Sequence, residues 1–137
     1  MNIELSGSEF RQLLDMVYIG NWILNSTRGN DRITEYDQIE SKLFGLCTGT
    51  NLESLVENRL GISLPSRAFQ EGGIQEAIAY YEDGVFFEIL AEELAQKDLG
   101  YPEISGQNYE ELDRRIQEYL KEFNLTGLDR LQLVDSE

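Results

Sequence analysis

The chain opens with an apolar pattern at helical spacing. Phe10, Leu13, Leu14, Val17, Tyr18 and Leu24 form one stripe, while Met16, Ile19 and Ile23 put apolar groups on the opposite side. Ser6 followed three residues later by Glu9 is a capping box, and Leu5 and Phe10 are spaced for a hydrophobic staple, so the helix begins here. A helix apolar on both sides sits centrally or at a subunit contact; the pattern predicts a homodimer through Met16, Ile19 and Ile23. After a polar turn through Thr27–Asp31, a second helix carries Ile33, Tyr36, Ile39, Leu43, Phe44 and Cys47 on one side. Cys47 falls inside that stripe and is explained by packing.

Thr50 with Glu53 repeats the capping-box spacing. It predicts a short helix through Leu52, Leu55, Val56 and Leu60 that Gly61 ends, with Ile62–Leu64 reading as a short strand before Pro65. Ile74, Ala77, Ile78 and Tyr81 then share a face, Asp83-Gly84 interrupts, and Phe86, Phe87, Leu90, Ala91 and Leu94 resume it: two helices, or one bent at Gly84. The last clear helix starts at Asn108 with Glu111 at its third position and runs through Leu112, Ile116, Leu120 and Phe123, with Glu110–Arg114 and Glu111–Arg115 as i,i+4 pairs. Leu128 to Val134 fits a strand or a last helical turn. The expectation is a mainly all-α fold, an irregular bundle or orthogonal array of five to six helices with at most one or two very short strands, in a single domain over residues 1–137.

Composition narrows the chemistry. With 11 Lys and Arg against 26 Asp and Glu, and no His, the net charge is −15. Direct binding to nucleic-acid phosphates or an anionic membrane face is disfavoured, and basic partners or cations are favoured. The absence of histidine removes Ser-His and Cys-His nucleophile pairs, zinc-protease helices and Glu-x-x-His di-iron bundles. The single cysteine allows no internal disulfide, Met1–Ser6 has neither the basic nor the apolar part of a secretory signal, and Met16–Leu24 is too short to span a bilayer. A cytoplasmic, non-membrane protein is expected. No Gly-rich phosphate loop or nucleophile elbow is present, so no catalytic residue is assigned.

The charge is uneven. Residues 1–68 hold 9 acids and 6 bases, whereas residues 69–137 hold 17 acids and 5 bases. Between Arg67 and Lys97 there is no Lys or Arg, yet Glu71, Glu76, Glu82, Asp83, Glu88, Glu92 and Glu93 all fall there. Glu88 and Glu92, at i and i+4, repel each other by about 0.2–0.5 kcal/mol, whereas Glu93 has Lys97 four residues on. The plain reading is a solvated acidic face. The functional reading is a docking surface for a basic protein, with Glu82, Asp83, Glu88 and Glu92 as its charges and Tyr80 and Phe87, with Trp22, as aromatic contacts. On that reading the protein is a non-enzymatic adaptor, inhibitor or immunity-type module; a nucleic-acid mimic is its extreme form.

Two resemblances bear on function. Glu88, Glu92 and Glu93 followed by Glu110 and Asp113 resemble in order and separation the EExxE and ExxD elements with which all-helical nucleotide pyrophosphohydrolases hold Mg²⁺, although the third acid of EExxE is missing. That resemblance implies these five as ligands of Mg²⁺, the only cofactor in view, and a nucleotide-hydrolysing alternative. Separately, Ile3–Phe10 leading into Leu13–Trp22, and Tyr80–Ala95 with its acidic turn before an aromatic-led F-x-E-x-L-A helix, resemble a family of small acidic bacterial proteins. That likeness implies a bacterial, cytoplasmic, helical protein and carries no activity.

Overall fold

The computed structural model describes residues 1–135 and is mostly helical, with a two-stranded antiparallel sheet. In chain order the elements are α1 (Gly7–Asn25), α2 (Thr34–Gly45), β1 (Val56–Arg59), β2 (Ile62–Pro65), the single turn α3 (Arg67–Phe69), α4 (Gln75–Asp98) and α5 (Tyr109–Thr126). Four are helices of substantial length, fewer than the five or six expected. Contacts gather into two compact units that divide between Ile78 and Ala79, inside α4. No helix among the described residues is long and apolar enough to cross a membrane.

In the first unit, α1 begins as its sequence requires. Ser6 Oγ accepts from the Glu9 N–H at 3.1 Å, and the Glu9 carboxylate accepts from the Ser6 N–H at 2.7 Å. Leu5 remains exposed, while Phe10 packs against the core. The buried face of α1 runs Leu14, Tyr18, Asn21, Asn25 at helical spacing. It is apolar for half its length and amide for the rest, so Leu24, expected in the stripe, points outward. The core joins Leu14 and Tyr18 to Phe44, Cys47, Phe69, Ile74 and Ile78. Phe69 is its hub, edge-on to Phe44 at 4.9 Å and to Tyr18 at 5.3 Å, with the Arg11 guanidinium 4.8 Å from its ring centre. Cys47 is fully buried and burial pushes its thiol pKa up, which makes it an inert packing group.

Asn25, only 1% exposed, closes the connection from α1 to α2. Its Oδ1 accepts from the Ile33 N–H at 2.8 Å, and its Nδ2 donates to the Ile33 carbonyl at 3.0 Å and to Asn21 Oδ1 at 2.7 Å. One amide thus pairs with a backbone as a neighbouring strand would, and satisfies two peptide groups at the start of α2, which has no side-chain cap of its own.

The helix expected through Leu60 is a correction. Only Glu53–Leu55 makes a tight helical turn; Thr50 Oγ1 accepts from the Leu52 N–H at 3.1 Å instead of capping a longer helix. Val56–Arg59 is extended and pairs with Ile62–Pro65 in the register Val56↔Pro65 to Arg59↔Ile62. The strand expected at Ile62–Leu64 is present, and its partner is the segment read as helix. Local periodicity could not see the ladder, which forms between segments that both pack on α2. The two-residue turn has Leu60 at φ 50° and Gly61 at φ 78°, the positive pair a tight hairpin needs. Gly61 therefore turns a hairpin where a helix stop was expected. Beyond β2, Ser66 Oγ accepts from the Phe69 N–H and donates to the Ser54 carbonyl at 2.6 Å, and Gly73, at φ 116°, lets the chain bend into α4.

In the second unit α4 runs unbroken through Asp83-Gly84. A mid-helix glycine costs about 1 kcal/mol, too little to break a helix of this length. Ala91 and Ala95 are fully buried on α4, and Leu112 and Phe123 are buried on α5. Phe87 packs 5.5 Å from Phe123, which also stacks on Tyr119 at 6.2 Å, and the Tyr119 hydroxyl donates to Asp98. Helix α5 starts where expected but is not capped by Asn108, whose side chain accepts from the Ser105 N–H and donates to the Glu103 carbonyl. Gly127 ends it, and of the undecided Leu128–Val134 segment, residues 131–134 are neither strand nor helix.

Asn25→Ala leaves the Ile33 N–H and Asn21 Oδ1 without a partner, while the Ile33 carbonyl keeps the Tyr36 N–H at 3.3 Å. Urea unfolding is expected to show a loss of about 2–4 kcal/mol, since each stranded group costs about 1–3 kcal/mol and water recovers part of it. Asn30→Ala, exposed in the same connection, should stay within about 0.5 kcal/mol of wild type.

Candidate functional site

On α4 beyond Ala79, Glu82, Asp83, Glu88, Glu92 and Glu93 are all exposed, and among the described residues none forms an ion pair. The Glu93–Lys97 pair expected from spacing is not made. Arg67, the last base before the block, is taken by Glu71 at 2.7 Å. At 100° per residue, Glu82, Phe86, Ile89 and Glu93 project opposite the buried line of Ala91 and Ala95. Phe86 and Ile89 are about half exposed, at 49% and 53%, so this outward ridge is an apolar pair between two carboxylates. Tyr80 and Tyr81 are also exposed. Phe87 is half-buried against Phe123, and its edge-on neighbour Phe86 is the more exposed ring.

Of the two i,i+4 pairs expected on α5, Glu111–Arg115 forms at 2.9 Å, whereas Arg114 serves other carboxylates than Glu110. Glu111 accepts from both Arg114 and Arg115, whose hydrogen bonds hold its carboxyl below the usual range, and Arg114 also reaches Glu118. Glu110 and Asp113 stay exposed, and Glu110 is not Arg114's partner. Among the described residues no group of three or more Cys, Asp or Glu is placed to hold a metal ion, so Glu88, Glu92, Glu93, Glu110 and Asp113 are not gathered into one ligand set.

The first unit carries a feature the sequence reading missed. Beside the aromatic end of the core is a cleft of about 450 Å³ whose lining includes Tyr18, Asn21, Trp22, Arg32, Glu40 and Arg59. Three elements build it. From α1, Asn21 Nδ2 donates to Asp37 Oδ1 at 2.9 Å and to Glu40 Oε2 at 3.2 Å, while its Oδ1 is held by Asn25. From α2 come Glu40 and, behind it, Asp37, which takes both Arg32 Nε at 2.6 Å and Arg32 Nη2 at 2.7 Å. From the hairpin come Arg59, donating to Glu57 at 2.7 Å, and Leu64. Trp22 stacks on Tyr18 at 6.1 Å, and the Tyr18 hydroxyl accepts from Gln75 Nε2 at 2.6 Å.

Two carboxylates about 4.5 Å apart along the helix axis are therefore treated oppositely by their surroundings. The Arg32 hydrogen bonds hold Asp37 below the usual carboxylate range. Burial, reinforced by the charge of Asp37, pushes Glu40 above it, against the Asn21 hydrogen bond and the more distant Arg32. The legible signal was Asn21 and Asn25, two amides spaced i,i+4 in line with Leu14 and Tyr18. Buried amides on a core-facing stripe must find partners, and those partners are the cleft.

Of the face of α1 expected to form a homodimer, Met16 and Ile23 are exposed, at 70% and 63%, whereas Ile19 packs against the core. No protein-family model, curated protein or solved structure matches the chain.

The opposed carboxyls set a pH dependence. Asp37, with its folded pKa depressed, contributes stability that is present above the ordinary Asp range and lost as pH falls through its lowered value. Glu40, with its folded pKa raised, costs stability when ionised, and that cost is removed as pH falls through its raised value. Glu40→Gln, whose amide oxygen still accepts from Asn21, is expected to raise Tm at neutral pH. Thermal unfolding from pH 4 to 8 should show this gain shrinking as pH falls into the ordinary glutamate range.

Proposed function

We propose that the chain is a non-enzymatic docking module whose acidic α4 surface binds a basic protein partner, in the manner of an adaptor, inhibitor or immunity-type protein. The observation that carries the reading is the outward ridge of Phe86 and Ile89 set between Glu82 and Glu93, with Glu92 beside Ile89 and Glu88 exposed nearer the buried line, and no ion pair to any of these acids among the described residues. Unpaired carboxylates beside exposed apolar groups suit a partner that is both cationic and apolar, such as an amphipathic basic helix. The nucleic-acid mimic is a special case in which the basic partner is itself a nucleic-acid-binding protein. The Mg²⁺-dependent hydrolase reading has no gathered ligand set in its support.

A Lys/Arg-rich amphipathic peptide is the probe. It should bind the wild-type chain at low salt and weaken steeply between about 0.05 M and about 0.5 M NaCl, as screening shortens the reach of the carboxylates. The Glu82→Gln/Glu88→Gln/Glu92→Gln/Glu93→Gln variant should lose at least about tenfold in affinity, and Phe86→Ala should weaken binding with little change in salt dependence. Salt-insensitive binding, or equal affinity of the charge-neutralised variant, would remove the reading. The proposal extends to self-association through Met16 and Ile23. Sedimentation should then show mass rising with concentration in wild type and a monomer for Met16→Glu/Ile23→Glu, and a concentration-independent monomer in wild type would overturn it.

A further inference from the structure

The cleft in the first unit has a charge balance that selects its occupant. Arg32 and Arg59 both line it, but each already has a carboxylate: Arg32 is gripped by Asp37 through two hydrogen bonds, and Arg59 by Glu57 through one. Glu40 is the acid left over. It is half-buried, in no ion pair among the described residues, and its one hydrogen bond is the second, longer bond from Asn21, at 3.2 Å. A partly desolvated carboxylate with so little compensation is poorly stabilised, and the free guanidinium N–H groups nearby do not close on it. The indole of Trp22, on a buried Tyr18, and Leu64 of the hairpin give the same cleft apolar surface. The volume, about 450 Å³, is within the range of small-molecule sites.

We infer that this cleft binds a small organic cation, a primary ammonium on a flat apolar body, with the ammonium against Glu40 and the body against Trp22. The ammonium supplies the missing charge and the hydrogen-bond donors that Glu40 lacks. The aromatic wall favours a cation and a flat body alike. An anion would have to lie beside a half-buried carboxylate, and a neutral ligand would leave the charge deficit unanswered. The net charge of −15 raises the local concentration of cations around the whole chain, and the Asn25–Asn21 relay fixes Glu40's partner in place before any ligand arrives.

Trp22 is the only tryptophan, so its fluorescence reports the cleft directly. Three probes with one phenyl body and different charge are titrated: 2-phenylethylamine, 2-phenylethanol and 3-phenylpropionate. The amine should give a saturable change at or below about 1 mM, the alcohol one at least about tenfold weaker, and the acid none. Glu40→Gln should erase the advantage of the amine over the alcohol, while Glu4→Gln, an exposed acid elsewhere, should keep it. The comparison of the three probes on wild type tests the assignment independently of any variant. No saturable response to the amine up to about 10 mM, equal responses to amine and alcohol, preference for the acid, or an unchanged preference in a folded Glu40→Gln chain would each overturn the assignment.

Discussion

The pairing of the Asn25 amide with both peptide groups of Ile33 is the constraint on which the first unit turns. A buried amide in a core-facing helix is costly unless all of its donors and acceptors are answered. Here the answer comes from the backbone at the start of the next helix. That fixes where α2 begins, and with it the distance at which Asp37 and Glu40 stand from α1. Asn21 then distributes its two N–H groups between those carboxylates, while its oxygen is held by Asn25. The relay joins secondary-structure placement to site electrostatics in one chain of hydrogen bonds.

Around that relay the aromatic core acts as a stop. Phe69 meets both Phe44 and Tyr18 edge-on and brings α3 against α1 and α2. The hairpin enters through Ser66, whose hydroxyl starts α3 and ties it back to Ser54. With the hairpin so placed, Arg59 and Leu64 become cleft wall, although neither lies near Glu40 in sequence. In the second unit the logic differs. Small buried residues, Ala91 and Ala95, occupy one line of α4, and the large apolar side chains Phe86 and Ile89 are left on the far side among carboxylates. A helix that buries alanines and exposes a phenylalanine and an isoleucine has more apolar surface than its own unit covers, and the proposed docking surface rests on that excess.

Much of the helical framework was legible because its signals are local. Ser6 and Glu9 cap α1 within one turn, Cys47 sits at a core spacing, and the acidic run from Glu71 to Glu93 is a fact of order along the chain. The misreadings share a cause. Val56–Arg59 has enough helical spacing to extend a capping pattern, but its backbone is satisfied by a ladder to Ile62–Pro65, and pairing between segments leaves no mark in either one's periodicity. Arg114 was assigned to Glu110 by spacing and reaches Glu111 and Glu118 instead, because several acids lie within reach of one flexible cation. The cleft was illegible for the same reason: its members come from α1, α2 and the hairpin, and nothing in order along the chain marks Glu40 as the cleft acid that forms no ion pair among the described residues.

The amino-acid sequence by itself determined what depends on short range or on totals: a mainly helical chain, the start of α1, a net charge no internal arrangement can neutralise, and the absence of imidazole chemistry. Tertiary structure alone decided which carboxylates are answered and which are not. Asp37 and Glu40 are both acids of α2, one turn apart. Arg32 and Asn21 hold the first as a stable anion, and burial disfavours the charge of the second. Charge is fixed by composition, but its free energy is fixed by solvent exposure and neighbours, and those exist only once the chain has folded.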